Sequence, residues 1–242
     1  MLDSIRLTDI LFLDIETVPE YPSFDDMPEP MQGLWEKKSS YFRGEDEAAF
    51  DVYNRAGIYA EFGKVVCISV GMVNNMQGEQ ILRLKSFFSK DEKALLNEFI
   101  DLVTKLEQTR KNIFLCAHNG KEFDFPYLAR RMLINELALP VALDVAGKKP
   151  WEVSFIDTME LWKFGDYKHY TSLDLLANVF KIPTPKDDID GSMVGKVFWE
   201  EDDLNRIVRY CEKDVITIVQ LFNKYRRKPL IPDGKIVSTT FE

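Results

Sequence analysis

One apolar run near the N-terminus constrains this chain more than any other feature. Ile10, Leu11, Phe12, Leu13, Ile15 and Val18 lead into Pro19, interrupted by Asp14, Glu16 and Thr17. The run reads as a strand buried on both faces, so the chain must build a sheet with layers above and below it. Strand side chains alternate, which puts Asp14 and Glu16 on one face and Ile15 on the other. Two carboxylates side by side in apolar surroundings repel each other and lose hydration. A shared hard cation with oxygen ligands relieves both costs. The plainer reading is an exposed strand end with solvated acids.

Two later segments carry acids in comparable settings. Residues 112–117 are short and apolar, as a buried strand is, and His118-Asn119-Gly120 breaks them. From Phe123 onward, Tyr127, Leu128 and Met132 or Leu133 follow helical spacing, giving a helix over 123–135. Asp124 then lies in its first turn, where an acid also simply suits the helix dipole. A long helix is expected over 201–225, with Leu204, Ile207, Val208, Cys211, Val215, Ile218, Val219 and Phe222 as its apolar stripe. Tyr210 and Asp214 are four apart and stack on one face. Asp214 precedes Val215 and Ile216, so it borders the buried stripe. Taken alone, the pair also reads as surface residues of an amphipathic helix.

Together, the order and wording of Asp14-Ile15-Glu16, Asn119 to Phe123-Asp124, and Tyr210 with Asp214 resemble the DEDD superfamily of 3′–5′ exonucleases. These are DnaQ-like proteins on a ribonuclease H-like fold, and a tyrosine four before the last Asp marks the DEDDy branch. Residues 155–158 and 171–174 also resemble that family. Taken whole, the chain is similar to predicted exonucleases related to the proofreading domain of family B DNA polymerases. The resemblance implies an α/β fold with a mixed five-stranded sheet flanked by helices. It implies a site of Asp14, Glu16, Asp124, Tyr210 and Asp214 working with two Mg²⁺ or Mn²⁺ ions. Asp14 bridges both ions, Glu16 and Asp214 complete the site of one, and Asp124 reaches the other. Tyr210 orients the attacking water; an ordinary tyrosine titrates near pH ~10 and is a poor base. Thr17, Asn119 and Phe123 are the implied contacts to the substrate, a single-stranded 3′ end of DNA more than RNA. Phe123 also reads as a core residue, and Asn119 as one that shapes the turn. An exoribonuclease, a silent module that binds nucleic-acid ends, and a ribonuclease H-like endonuclease are the competing readings. A replication or repair partner is left unidentified.

Composition sets further bounds. With 242 residues, 45% hydrophobic and 29% charged, the chain suits one globular domain over 1–242. No apolar stretch reaches the roughly 20 residues that cross a bilayer, so no membrane contact is expected. Cys67, Cys116 and Cys211 have no metal-binding spacing and read as buried free thiols of a cytoplasmic protein. A net charge of −9 argues against a broad phosphate-binding surface. Any basic patch must be confined, with Arg130-Arg131 and residues 224–228 as candidates. Neither His118 nor His169 has a catalytic partner in the sequence, and both read as structural. Asp157 and Asp174 read as anchors of loops or helix starts.

The remaining map is coarse. Residues 25–63 read as an insertion with helical leanings at 29–41 and 46–55, carrying Trp35, Tyr41, Phe42, Phe50 and Tyr53. Its aromatics suit a single-strand channel, a cover for the sheet or an oligomer contact. Strands at 64–73 and 79–88 are joined by a turn at 74–78. A helix at 91–108 has Ser89 as its cap. A short strand ends at Asp157, Thr171-Ser172 cap a helix to about Phe180, and 182–195 is a polar loop. From about residue 229 a loose tail follows.

Overall fold

The computed structural model describes residues 2, 5–76, 78–166, 170–184 and 189–241. β1 (Ile10–Pro19) pairs antiparallel with β2 (Gly63–Met76). β2 turns through Gly78, at φ 87°, into antiparallel β3 (Glu79–Phe88). On the other side of β1, β4 (Phe114–Ala117) and then β5 (Phe155–Asp157) run parallel. A further strand, β6 (Ile236–Ser238), lies parallel to β3, so the sheet order is β5-β4-β1-β2-β3-β6. The fold is the mixed α/β, ribonuclease H-like arrangement, with six strands where five were expected.

The sixth strand comes from residues expected to be a loose tail. The Thr239 N–H donates to the Leu84 carbonyl, and the Ser86 N–H donates to Thr240 Oγ1. Glu212 accepts hydrogen bonds from the hydroxyls of Ser86, Ser238 and Thr240. Strand partners this distant in sequence leave no local periodicity, which is why the pattern of the last residues does not announce them.

Alternation along β1 sorts the molecule into layers. Leu11, Leu13 and Ile15 pack against α2 (Glu92–Thr109) and α3 (Asp124–Ile134), through Leu95, Phe99, Leu128 and Met132. Ile10 and Phe12 face α7 (Leu204–Tyr225), beneath Val215, Ile218, Val219 and Phe222. Phe12 and Phe222 meet edge to face at 5.6 Å. Burying each large apolar side chain contributes roughly 1.5–3 kcal/mol. The helix comes so close to β2 that a Cβ on Gly71 would lie 2.8 Å from Val215 Cγ1.

Several boundaries differ from expectation for local reasons. Asp91, not Ser89, caps α2: its carboxylate accepts from the Ala94 N–H, while Ser89 Oγ accepts from the Asp91 N–H. The last long helix starts at Leu204 because Asp203 caps it. Residues 46–55 hold turns and the start of a 3₁₀ segment, Tyr53–Ile58, in place of a helix. α4 (Thr158–Lys163), α5 (Leu173–Val179) and α6 (Val194–Lys196), which runs on into a π-helical turn over Val197–Glu201, are each short. Of these, α4 and α6 show too few turns for their periodicity to be read. α1 (Glu29–Ser39) packs Trp35 into a small cluster with Met27, Val52, Tyr53 and Phe62. Among the described residues, no helix is long and apolar enough to cross a membrane.

Candidate active site

The α7-facing side of β1 continues from Ile10 and Phe12 to Asp14 and Glu16. At this point the ladder slips: Glu16 opposes Cys67 but Thr17 opposes Val65. A bulge at this point bends the strand and re-aims the side chains around it. Cys211, one turn before Val215 on α7, approaches the acids directly. Its Sγ lies 3.4 Å from both the main-chain oxygen and Oδ2 of Asp14. Oxygens of Asp14 and Glu16 and the Cys211 sulfur all lie within 4.8 Å of one another. From its spacing alone, Cys211 belongs to apolar surroundings. Its position on the apolar stripe is correct, but the stripe crosses the sheet where the two acids project.

Asp214 from α7 and Asp124 from α3 close on the same point. Burial, then the charge of Asp214, then those of Glu16 and Asp124, hold the Asp14 carboxyl well above the usual carboxylate range. The Cys211 thiol works the other way by donating to it. Glu16 is raised by burial and by Asp214, Cys67 and Asp124. Asp124 is 3% exposed, and burial pushes it up to about 7, against hydrogen bonds from its own N–H and that of Ile15. Far-apart segments thus deliver four mutually repelling carboxylates to one place.

Tyr210 is half-buried beside them. Burial and the charges of Asp214, Glu16, Asp14 and Asp174 raise its phenol far above its ordinary value, so the hydroxyl keeps its proton. A second tyrosine, Tyr170, feels Asp124, Asp14 and Asp214, and its phenol is raised by burial and by those charges. It was missed because residues 171–174 announce only a helix start. That start is as expected: Ser172 caps α5. The loop is held by His118, whose Nε2 donates to the Thr171 carbonyl at 2.8 Å, which leaves Nδ1 to accept from Thr158 Oγ1 at 2.9 Å. Burial lowers the His118 pKa and favours this neutral form. His169 lies outside the described residues.

The implied substrate contacts take different positions. Thr17 follows the bulge, and its hydroxyl reaches Tyr127. Phe123 leads into α3, half-buried, with its ring 5.3 Å from Tyr127. Both its readings have a footing, since it packs on the core and also lines a cleft. Asn119 adopts φ 63°, and its N–H donates to Asp157 Oδ1 at 2.9 Å, so it shapes the turn. Its side-chain carbonyl is buried without a partner. Asp157 also accepts from the N–H groups of Lys121, Met159 and Glu160, tying the 119–121 loop to the start of α4. Arg131 is no part of a basic patch: it is 3% exposed and pairs with Glu92 at 2.5 Å and Glu20 at 2.9 Å. An unpaired buried guanidinium would be costly, so Arg131 turns inward only because Glu92 and Glu20 meet it there.

A family profile described as "Predicted 3'-5' exonuclease related to the exonuclease domain of PolB" matches residues 58–230. The chain belongs to this family. In this PolB-related exonuclease family member, the matched span holds Asn119, Phe123, Asp124, Tyr210 and Asp214 and starts after Asp14, Glu16 and Thr17. Among solved structures, it is similar to the family B DNA polymerase of the hyperthermophilic archaeon Pyrobaculum calidifontis, at 18% identity and a TM-score of 0.55. The match covers 89% of this chain and 24% of the polymerase, and at that identity it is a likeness of fold.

Proposed function

We propose that this chain is a metal-dependent 3′–5′ exonuclease that hydrolyses the terminal phosphodiester of single-stranded nucleic acid, DNA in preference to RNA. The observation that supports it is the convergence of Asp14, Glu16, Asp124 and Asp214 from three elements, each of the first three carboxyls raised by burial and by its neighbours' charge. Folding gains nothing from that repulsion, whereas divalent cations turn it into binding free energy. The carboxylate donors fit them: those of Asp14 and Glu16 are hard oxygens on one strand, within 4.8 Å of each other and of the softer Cys211 sulfur. Asp14, Glu16 and Asp214, with Asp124 beside them, would hold two Mg²⁺ or Mn²⁺ ions, which ionise water near neutral pH and neutralise charge at the leaving 3′ oxygen.

The chain's own residues do the rest. Tyr210 keeps its proton and therefore donates a hydrogen bond, which orients the attacking water and removes no proton from it. Thr17 and Phe123 line the approach and hold the terminal nucleotide. The unpartnered carbonyl of Asn119 is left to accept a hydrogen bond from the bound strand or its water.

The test uses 5′-labelled linear single strands of DNA and RNA, and a circular DNA single strand, with Mg²⁺ or Mn²⁺. The expected result is stepwise shortening from the 3′ end, none on the circle, and none with Asp14→Ala. Cutting of the circle, release from the 5′ end, or tight end-binding without turnover refutes the proposal.

A further inference from the structure

A cleft of about 1160 Å³ opens beside the acids, with Ile15, Glu16, Thr17 and Pro19 of β1 at one end. Two walls rise from there. The first carries Phe24, Phe50, Tyr53, Asn54, Arg55 and Ile58. The second carries Lys196, Trp199 and Glu200 from the α6 region.

The first wall is rigidly backed. Trp35 is fully buried, donates its indole N–H to the Ala49 carbonyl at 2.9 Å, and meets Phe42, Tyr53, Tyr59 and Phe62 edge to face. The Tyr127 hydroxyl donates to the Gly57 carbonyl at 2.8 Å, and Arg131 Nη1 to the Ala60 carbonyl at 2.9 Å. Most aromatics of the 25–63 stretch are thus consumed in holding the wall. Phe50 is not: it is 63% exposed and points into the cleft. On the second wall, Trp199 is fixed by its indole N–H on the Pro19 carbonyl, 3.1 Å away, and by Lys64 Nζ 4.5 Å from its ring centroid. Both walls are therefore anchored beside the end of the strand that carries Asp14 and Glu16.

The charge of the lining says how it would grip. Glu16, Asp25, Asp51 and Glu200 outnumber Arg55 and Lys196, so the walls do not attract a phosphate backbone. Aromatic faces hold bases whatever their sequence, by stacking. We infer that this cleft takes the nucleotides upstream of the scissile bond, with Phe50 and Trp199 stacking on their bases. This rests on the exonuclease reading above and assigns a substrate-binding role to the 50–58 wall, most of which lies before the family-matched span.

The experiment measures kcat/KM with Mn²⁺ on a single-stranded dinucleotide and a hexanucleotide for the full chain and for Phe50→Ala, Phe50→Trp and Tyr41→Ala. Tyr41 is 79% exposed and lies off the cleft, so its variant controls for general damage. The expected result is a wild-type preference for the hexanucleotide that falls about tenfold in Phe50→Ala, the scale of one lost base stack, and returns in Phe50→Trp. Tyr41→Ala keeps the full preference. No length preference in the wild type, an unchanged preference in Phe50→Ala, or the same loss in Tyr41→Ala overturns the inference while leaving the exonuclease reading intact. If the wild type cuts neither substrate, the exonuclease reading itself falls, and this one with it.

Discussion

Asp124→Asn should make the metal-free protein less sensitive to alkali. Asp124 is 3% exposed and titrates at about 7 in the fold, against about 3.9 in an unfolded chain. A raised carboxyl binds its proton more tightly when folded, so it costs no stability below pH ~4 and its full penalty is reached above the folded pKa. Each unit is worth about 1.36 kcal/mol, so the penalty is on the order of 1–2 kcal/mol at pH 5 and on the order of 4 kcal/mol at pH 8. The wild type therefore loses about 2–3 kcal/mol between those values through this one group. An asparagine ionises in neither state, and its contribution is flat. At this chain length 1 kcal/mol moves Tm by about 2–4 °C. Thermal unfolding in EDTA should show the wild type dropping about 5–10 °C further than Asp124→Asn between pH 5 and pH 8. Adding Mg²⁺ at pH 8 should recover the wild type more than the variant, because a cation favours the ionised carboxylate. Parallel pH profiles for the two proteins in EDTA would refute the reasoning, since Asp124 would then feel neither the burial nor the neighbours assigned to it.

Tyr210→Phe should lower kcat about 10–100-fold, the scale of a misoriented reactant, with KM and Tm little altered; an unchanged kcat would exclude a role for the hydroxyl. Arg131→Met leaves Glu92 buried without its partner and should cost about 3–5 kcal/mol in urea unfolding, as broken buried ion pairs do; a loss below about 1 kcal/mol would mean the pair is effectively solvated. Gly71→Ala should push α7 off β2, because the added methyl would sit 2.8 Å from Val215 Cγ1. Activity should fall more than stability, since the same helix carries Tyr210 and Asp214. Equal retention of both would show that α7 has slack at that point.

The layered sheet was legible because β1 is apolar on both faces and because the stripe of α7 has clear helical spacing. Those periods depend only on local geometry. They also placed Asp14 and Glu16 on a common face, which the β1 alternation bears out. Pairing across the sheet is another matter. β6 depends on β3, some 154 residues away, and the acceptance of three hydroxyl bonds by Glu212 on partners 26 to 126 residues away, and no local pattern encodes those. The same holds for Cys211, which looks like an ordinary core thiol until α7 crosses β1 above Asp14. It holds for Phe50 too, one aromatic among seven in its stretch, set apart only by being left out of the cluster around Trp35 and lining the cleft instead.

The amino-acid sequence by itself therefore determined the central strands and the long helices and which acids sit at their polar interruptions, because burial and alternation act residue by residue. Tertiary structure alone decided that those acids share one desolvated point, that a thiol joins them and that an aromatic-walled cleft leads there. Repulsion between carboxylates and the shape of a cavity exist only between surfaces that folding brings together.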